Sequence, residues 1–600
     1  MALADDLARQ QRSISVAEFF EKNKHLLGFD SPTRGIITTI KEAVDNALDA
    51  CEEAQVLPDI YIGIKKISAE VFRIVVEDNG PGIVPAQIPF VFGKLLYGSR
   101  FHQIKQSRGQ QGIGISAAVL YAQLTTGVPS VIISRTGPES PAHRFVLQIR
   151  IESNEPDILS ADEVPWDRSH GTRVQIEFKS TLAARKRLLE YLRYTSVVNP
   201  HARIRVEIEE ESFLFERVSD EPIACPEAIQ PHPHGIEIGH LKRMTQASEA
   251  PLGEFLVISF SRVGKKTAEE ICRIAGLPET VPVRGLTNEA QKRLIDAMQQ
   301  VKVPAPPASQ CLSPIGEDLI RQGLEKEFQM DFVRARTRPG AVFSGHPFLV
   351  EAAIGYGGKL DPEGTAQILR FANRVPLMYQ QGACAITASV AAVNWKSYGV
   401  SQSGLPTGPL LILVHVASTN VPFTSESKDA IAGIPEIERD IVLVLQELGR
   451  ELKTFLSRRD RNKLHEDRAR AICAIIPEIA GKVSEIVELP PPDISPIEGR
   501  IMKRLVAKRW VADEMVHIEL CNYSTFSGTI ALYDISHDAA SDAQPAPDAV
   551  SQVDEEYTKL WQVPVEPGTV RQISYRGSGG GTLMIRGIEP GKVAVVDLDV

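Results

Sequence analysis

A glycine-rich loop that runs straight into an apolar helix, SRGQQGIGISAAVLYAQLTT at residues 107–126, constrains this chain more than any other stretch. Glycines at 109, 112 and 114 leave backbone N–H groups bare, and the N-terminus of the following helix adds partial positive charge. The natural ligand is an anion, and phosphate is the natural anion. The spacing is G-x-x-G-x-G. No G-x-x-x-x-G-K-[ST] occurs, so this is not a Walker A loop, and the polar segment YGSRFHQIKQ stands where a dinucleotide fingerprint would need a strand. That segment reads as a lid over a nucleotide.

Three further motifs stand around the loop. In KEAVDNALDA (41–50), Glu42 and Asn46 are four apart and share a helix face, while Ile36, Ile40, Val44, Ala47 and Leu48 make the buried one. A carboxylate one turn from a carboxamide suits water activation beside Mg²⁺, which keeps most of its waters and takes few protein oxygens. Alone, the pair equally suits a solvated helix face. EDNGPGI (77–83) follows the alternating strand VFRIVV, and Gly80 and Gly82 open a tight turn in which Asp78 can accept a hydrogen bond from an exocyclic amine such as adenine's. Alone, it is a loop. HGT (170–172) leads into the strand RVQIEF and carries nothing by itself.

Composition bounds the classes. A chain of 600 residues suits about four domains, and 43% hydrophobic with 24% charged residues excludes disordered and fibrous classes. No apolar run reaches the ~18 residues of a spanning helix, and the polar N-terminus MALADDLARQQRSIS is no secretion signal, so a cytoplasmic protein is expected. Seven scattered cysteines without a C-x-x-C pair read as buried free thiols. Net charge is −10, but residues 511–600 hold 14 acids and 5 bases, a sum of −9, which leaves the first 510 residues near −1. Overall charge is therefore a poor guide to partners.

Prolines at 304, 306, 307, 490–492 and 496, and a softer break near 220–240, suggest boundaries. DIYIGIK, VFRIVVE, VIISR, RFVLQIRI and RVQIEF, with a helix around 34–56, predict a first α+β domain. Residues 240–303 read as a helical module with 10 bases against 7 acids. GEDLIRQGLEKEF, PLLILVHVA and ERDIVLVLQELGRELKTFLSRR predict a second α+β domain, and EMVHIELC, GTIALY, RQISYR, GTLMIR and KVAVVDLDV a small β-sandwich.

In this order, between Glu42 and Thr172, the four motifs resemble the N, G1, G2 and G3 boxes of the GHKL (Bergerat) ATPase fold shared by gyrase, heat-shock chaperones, histidine kinases and MutL. More closely, AEFFEKN, RGIITTIKEAVDNALDACEE, GKLLYGSRFHQIKQSRGQQGIGISAAVLYAQLTTG and VPFTSESKDAIA resemble the B subunits of archaeal DNA topoisomerase VI, over about 14–485. The resemblance implies an α+β multidomain chain: an N-terminal arm (1–16), a GHKL ATPase α/β sandwich (17–228), a helix-two-turn-helix insert (229–306), a transducer α+β domain (307–488), and a linker with a C-terminal immunoglobulin-like β-sandwich (489–600).

It also implies site residues. Glu42 matches the general base, Asn46 the Mg²⁺ ligand, Asp78 the adenine-reading acid beside Gly82, and Thr172 the position behind the adenine. Ser99 and Arg100 match lid contacts, Arg100 standing where the family usually has lysine and keeping its charge. The phosphate loop is Gly109, Gln110, Gln111, Gly112, Ile113, Gly114, Ile115 and Ser116. Lys428 matches the lysine that reaches the γ-phosphate from the transducer; without the resemblance it reads as a solvated lysine. The implied activity is that of the ATP-hydrolysing component of a type IIB topoisomerase, with ATP and Mg²⁺ as cofactors. It would dimerise on ATP to gate double-strand passage, with the arm crossing to the other protomer, so that supercoiled DNA is relaxed or linked DNA decatenated. The implied partners are a strand-cleaving topoisomerase VI A subunit, in an A2B2 heterotetramer, and double-stranded DNA, with no membrane, and the implied location is the nucleoid of a prokaryotic cytoplasm.

Candidate DNA contacts are Arg262, Lys265 and Lys266, whose glycine turn can present amides to a phosphate but equally suits a solvated basic turn. RRDRNK (458–463) and RIMKRLVAKR (500–509) suit DNA or, equally, solvated helix faces. A histidine kinase would need a phosphoacceptor helix pair ahead of the first motif, and gyrase B a metal-binding domain downstream. An ATP-gated clamp of MutL or chaperone type is the alternative, opposed by the basic helical insert. A scaffold with a dead pocket is opposed by Glu42, Asn46, Asp78 and Lys428 all being present.

Overall fold

The computed structural model describes residues 13–99, 103–109, 112–181, 183, 185–425, 427–540, 542–577 and 579–597. Most of the expected arm, and Arg100, Gln110 and Gln111, lie outside the described residues. The chain divides into two compact units, Met1–Thr454 and Phe455–Val600. Among the described residues no helix is long and apolar enough to cross a membrane.

The first unit opens on an eight-stranded sheet. Its strands are β1 (Asp59–Lys66), β2 (Val71–Glu77), β3 (Ser130–Arg135), β4 (Ala142–Arg150), β5 (Glu155–Val164), β6 (Gly171–Lys179), β7 (Arg203–Ile208) and β8 (Glu211–Phe215), in the order β5-β4-β3-β6-β2-β1-β7-β8. Only β1 and β7 pair in parallel; the other neighbours are antiparallel. Strict alternation in β1 sends Ile60, Ile62 and Ile64 to one face. Helices Pro32–Glu53 and Gly114–Thr126 cover that face with Ile36, Ile40, Val44, Ala118 and Ala122. The strands β5, β7 and β8 are additions to the sequence reading. β5, EPDILSADEV, is acidic and largely exposed, so its hydrophobic pattern is weak, and its ladder to β4 is what makes it a strand.

Helices Ile238–Gln246, Leu252–Ser259, Lys265–Ala275 and Asn288–Gln300 close on a core of their own, with Leu241, Phe255, Leu256, Ile271, Leu294 and Met298. A second sheet follows, built from β9 (Phe332–Thr337), β10 (Ala341–Phe343), β11 (His346–Tyr356), β12 (Gln367–Ala372) and β13 (Val375–Pro376), with a separate ribbon of β14 (Ser401–Ser403) and β15 (Leu405–Thr407), and then β16 (Leu410–Ser418). β16 is the strand read as PLLILVHVA. It lies between antiparallel β11 and parallel β12 and is buried at every residue, which is why it shows no alternation.

Helix Arg185–Val198 joins the two sheets. Leu188 and Leu192 enter the first core, and Val197 and Val198 enter a second one with Ile320, Leu324, Leu411 and Leu413. Helix Glu317–Glu327 approaches so closely that a Cβ on Gly323 would lie 2.7 Å from Val197 O.

Helix Pro435–Val487 runs 53 residues, beyond the stretch legible in sequence, and buries Ile437, Ile441, Val444, Leu445, Leu448 and Leu452 near its start. RRDRNK lies on this helix and is exposed.

In the second unit, β17 (Leu505–Ala512), β18 (Met515–Asn522), β22 (Val570–Arg576) and β24 (Val593–Asp597) form one sheet. β19 (Gly528–Ser536), β20 (Ala549–Val553), β21 (Glu556–Val565) and β23 (Gly581–Arg586) form the other. Leu505, Ile518, Ile530, Leu532, Trp561 and Ile573 fill the core of this sandwich. One expectation is corrected here. RIMKRLVAKR is not a solvated helix face, because helix Ser495–Met502 ends at Lys503, whose φ is +53°, and β17 begins two residues later. Lys508 and Arg509 point inward, Lys508 to Asp493 and Arg509 to Asp534, so neither is available to DNA.

Candidate nucleotide site

Helix Pro32–Glu53 starts cleanly: Ser31 Oγ accepts from Arg34 N–H and Pro32 occupies the first turn. With Ile36, Ile40 and Val44 pinned to the sheet, Glu42 and Asn46 face a cavity of about 700 Å³. Glu42, Asn46, Asp78, Gly82, Ser99, Gly109, Gly112, Ile113, Gly114, Ile115, Thr172 and Lys428 all line it. Ser116 does not. It is buried in the first turn of helix Gly114–Thr126, where its hydroxyl donates to Ile113 O at 2.9 Å, so it shapes the loop from behind instead of facing a ligand.

At one end, Asp78 follows β2 and is 8% exposed. The amides of Gly80, at 2.8 Å, and Thr172, at 3.1 Å, both donate to its Oδ1. Oδ2 takes no hydrogen bond among the described residues and is left for a ligand. Burial pushes the Asp78 carboxyl up to about 6, against the pull of those two amides. Gly171, at φ +136°, lets the chain pass behind: a Cβ there would lie 2.1 Å from Asp78 O. Thr172 Oγ1 is 3.1 Å from Ser134 Oγ, which accepts from Ile83 N–H at 2.8 Å, so the wall behind Asp78 is hydrogen-bonded throughout.

At the other end, Glu42 meets Lys41, Nζ to Oε1 3.6 Å, and stands against Gly114, where a Cβ would lie 1.8 Å from Oε2. Lys428 enters from the loop after β16, and its Nζ donates to Arg108 O at 3.0 Å. Burial lowers the Lys428 ammonium from its ordinary value and Glu42 opposes the shift. A carboxylate and an ammonium far apart in the sequence thus converge on one bare-backbone loop.

Four contributors were not legible in sequence. Arg34, Tyr379 and Asp429 line the cavity, and Tyr379 and Asp429 come from loops of the second sheet. Arg108, inside the glycine loop, faces away from the cavity into a buried network, with Nη1 to Asp49 Oδ1 at 2.7 Å, both nitrogens to Glu52, and Nη2 to Asn199 Oδ1 at 2.6 Å. Burial resists ionisation of Glu52, but Arg108 and His201 outweigh it and hold the carboxyl well below its usual range. Nothing in SRG distinguishes such an anchor from a phosphate contact, because the partners are supplied by helix Pro32–Glu53 and by the residue that follows helix Arg185–Val198.

The sequence matches the family described as Topoisomerase VI B subunit, transducer, over residues 307–468. It matches Histidine kinase-, DNA gyrase B-, and HSP90-like ATPase over 32–182, and the C-terminal domain of the type 2 DNA topoisomerase 6 B subunit over 488–594. It is 48% identical to the type 2 DNA topoisomerase 6 B subunit of Methanococcoides burtonii, over 96% of this chain and 94% of that protein. The chain belongs to this B-subunit family. The corresponding B subunits of Methanosarcina mazei and Archaeoglobus fulgidus are each 47% identical over 96% of this chain, and 94% and 96% of their own lengths are covered. As a topoisomerase 6 B subunit the chain is the ATP-driven component of a type II DNA topoisomerase, and the cavity is lined by its ATPase segment together with loops of the second sheet.

Proposed function

We propose that the 700 Å³ cavity holds ATP with the adenine amine on Asp78 Oδ2 and the phosphates on the loop from Gly109 to Ile115. Glu42 is the general base that takes a proton from the attacking water, and Lys428 neutralises the γ-phosphate as charge develops. The observation that carries this reading is the meeting of Glu42 and Lys428 in one cavity. Asn46, exposed to that cavity one turn from Glu42, fits a single amide oxygen on an otherwise hydrated Mg²⁺. When bound, that ion would screen the phosphate charge.

Lys428 offers a physical way to tell ATP from ADP, since only the γ-phosphate gives it a partner, and its loss would free the loop behind β16. The domains run 17–228, 229–306, 307–488 and 489–600, with the arm before them. Two copies close on ATP and work with an A subunit that cuts duplex DNA, as an A2B2 assembly. Arg262, Lys265 and Lys266 support the DNA assignment: all three are exposed, and Arg262 sits at φ +62° in the turn before helix Lys265–Ala275.

The test is ATP-dependent relaxation of supercoiled DNA by the purified chain, alone and with its A subunit. Relaxation only when the A subunit is present supports the reading. Relaxation by the chain alone, or ATP hydrolysis without relaxation in either case, rejects it.

A further inference from the structure

The loop that carries Lys428 is tied to the helix that carries Glu42. Lys428 has a φ of +54°, a left-handed conformation that a non-glycine side chain keeps only when its surroundings impose it. The turn is closed by Lys428 N–H donating to Ser425 O at 3.0 Å and Thr424 N–H to Ala430 O at 2.9 Å. Within it, Ser427 Oγ donates to Asp429 Oδ2 at 2.6 Å, and the same oxygen accepts from Arg34 Nη2. Asp429 is 6% exposed, so this charge-assisted bond is made where water competes little. The other arm of Arg34, Nη1, donates to Asp30 Oδ2 at 2.7 Å, and its guanidinium lies 4.6 Å from the centroid of the Tyr379 ring. Arg34 is thereby held on three sides.

Arg34 and Glu42 belong to one helix, eight residues apart, or about 12 Å along a rigid axis. We propose that Arg34 is a positioning residue for Lys428: by holding Asp429, it sets the reach of the lysine from the same helix that aims Glu42. The base and the γ-phosphate cation are then registered against each other through one element, although one sits on a helix packed on the first sheet and the other on a loop of the second. This rests on the assignment of Lys428 to the γ-phosphate made above.

The test is steady-state ATP hydrolysis by the full chain, with ADP affinity measured beside it. Arg34→Ala and Asp429→Asn should each lower kcat about tenfold, the loss of one charge-assisted bond, and leave ADP affinity within about twofold, because ADP gives Lys428 nothing to hold. Adding Arg34→Ala to Lys428→Ala should cost no further activity, since the positioned group is already gone. The reversed pair, Arg34→Asp with Asp429→Arg, should recover part of the lost turnover. Multiplicative losses in the double variant, or ADP affinity falling as far as kcat, would overturn the proposal. Asp429→Asn keeps the side chain's shape and decides the matter if Arg34→Ala unfolds. Undiminished turnover in Lys428→Ala would overturn the γ-phosphate assignment and this proposal with it, whereas loss there with independent behaviour of Arg34 would sink the positioning role alone.

Discussion

Gly114 and Glu42 approach so closely that a Cβ at 114 would lie 1.8 Å from Glu42 Oε2 and 2.6 Å from its Cδ. The third glycine of the loop therefore answers to the carboxylate across the cavity as well as to any phosphate. Gly114→Ala should push Glu42 off its aim, and a displacement of about 1 Å costs roughly 100-fold in rate. ATP turnover should fall by about that factor with nucleotide still bound, as Glu42→Ala should also show; wild-type turnover in either variant would remove the aimed carboxylate from the chemistry.

Asp78 gives a pH dependence with a definite sign. Its carboxyl is raised, chiefly by burial, from 3.8 to about 6, so between those values the folded chain holds a proton that the unfolded chain has released. The stabilising contribution of this group is full below about pH 4 and is lost as pH rises to about 6. Nucleotide binding runs the opposite way, because Oδ2 accepts best as a carboxylate: affinity should weaken as pH drops through about 6. Asp78→Asn should bind about tenfold more weakly and lose that pH step, and titration calorimetry across the range checks both.

Arg108 neutralises Asp49 and Glu52 with its side chain only 3% exposed. Arg108→Met would leave two inward carboxylates without their cation, a loss of about 3–5 kcal/mol, read as a lower melting temperature. Glu52 lies below its ordinary 4.5, so in the wild type its contribution is present above that pH and disappears as pH falls. The variant should lose most of that acid sensitivity; a melting curve that moves with pH as the wild type's does would reject the network as its source.

In the C-terminal sandwich, Asp534 is wholly buried and accepts from Arg509 Nε at 3.2 Å and from the Tyr575 hydroxyl at 2.5 Å, with Lys559 Nζ 3.5 Å away. Asp534→Leu would strand two buried cations and should destabilise this unit by about 3–5 kcal/mol. Trp561, stacked on Tyr575 in the same core, is the local reporter. A Trp561 fluorescence transition at the wild-type midpoint in Asp534→Leu would show the cluster to be dispensable.

Replacing Arg262, Lys265 and Lys266 together by Ala should weaken duplex binding of the assembled enzyme alike on all sequences. The slope of log affinity against log salt should shrink by about 3, close to one unit per phosphate lost. An unchanged slope would place the DNA contacts elsewhere.

Much of this was legible in sequence because it is short-range. The spacing of Glu42 and Asn46, the alternation in β1 and β2 and the glycines of the loop specify their geometry within a few residues. Readings failed where a pairing partner, whether near or farther along the chain, decides the matter. β5 is a strand because β4 pairs with it, and RIMKRLVAKR reads as a DNA contact or a solvated helix face until Asp493 and Asp534 draw Lys508 and Arg509 inward. Ser116 has the right position for a phosphate contact but spends its hydroxyl on Ile113 O.

By itself, then, the sequence determined most of the chemical groups at both ends of the cavity: a carboxylate and amide on one helix, an acid at a strand end, and a loop of bare amides. Lys428 was implied by the resemblance alone, and only the tertiary structure brings it to that cavity, with Arg34, Tyr379 and Asp429 along the wall. The reason is that the distance between Glu42 and Lys428 is set by packing with no local code. It depends on the order of strands around β16, on Gly323 admitting Val197, and on a buried ion pair joining a loop of one sheet to a helix of the other.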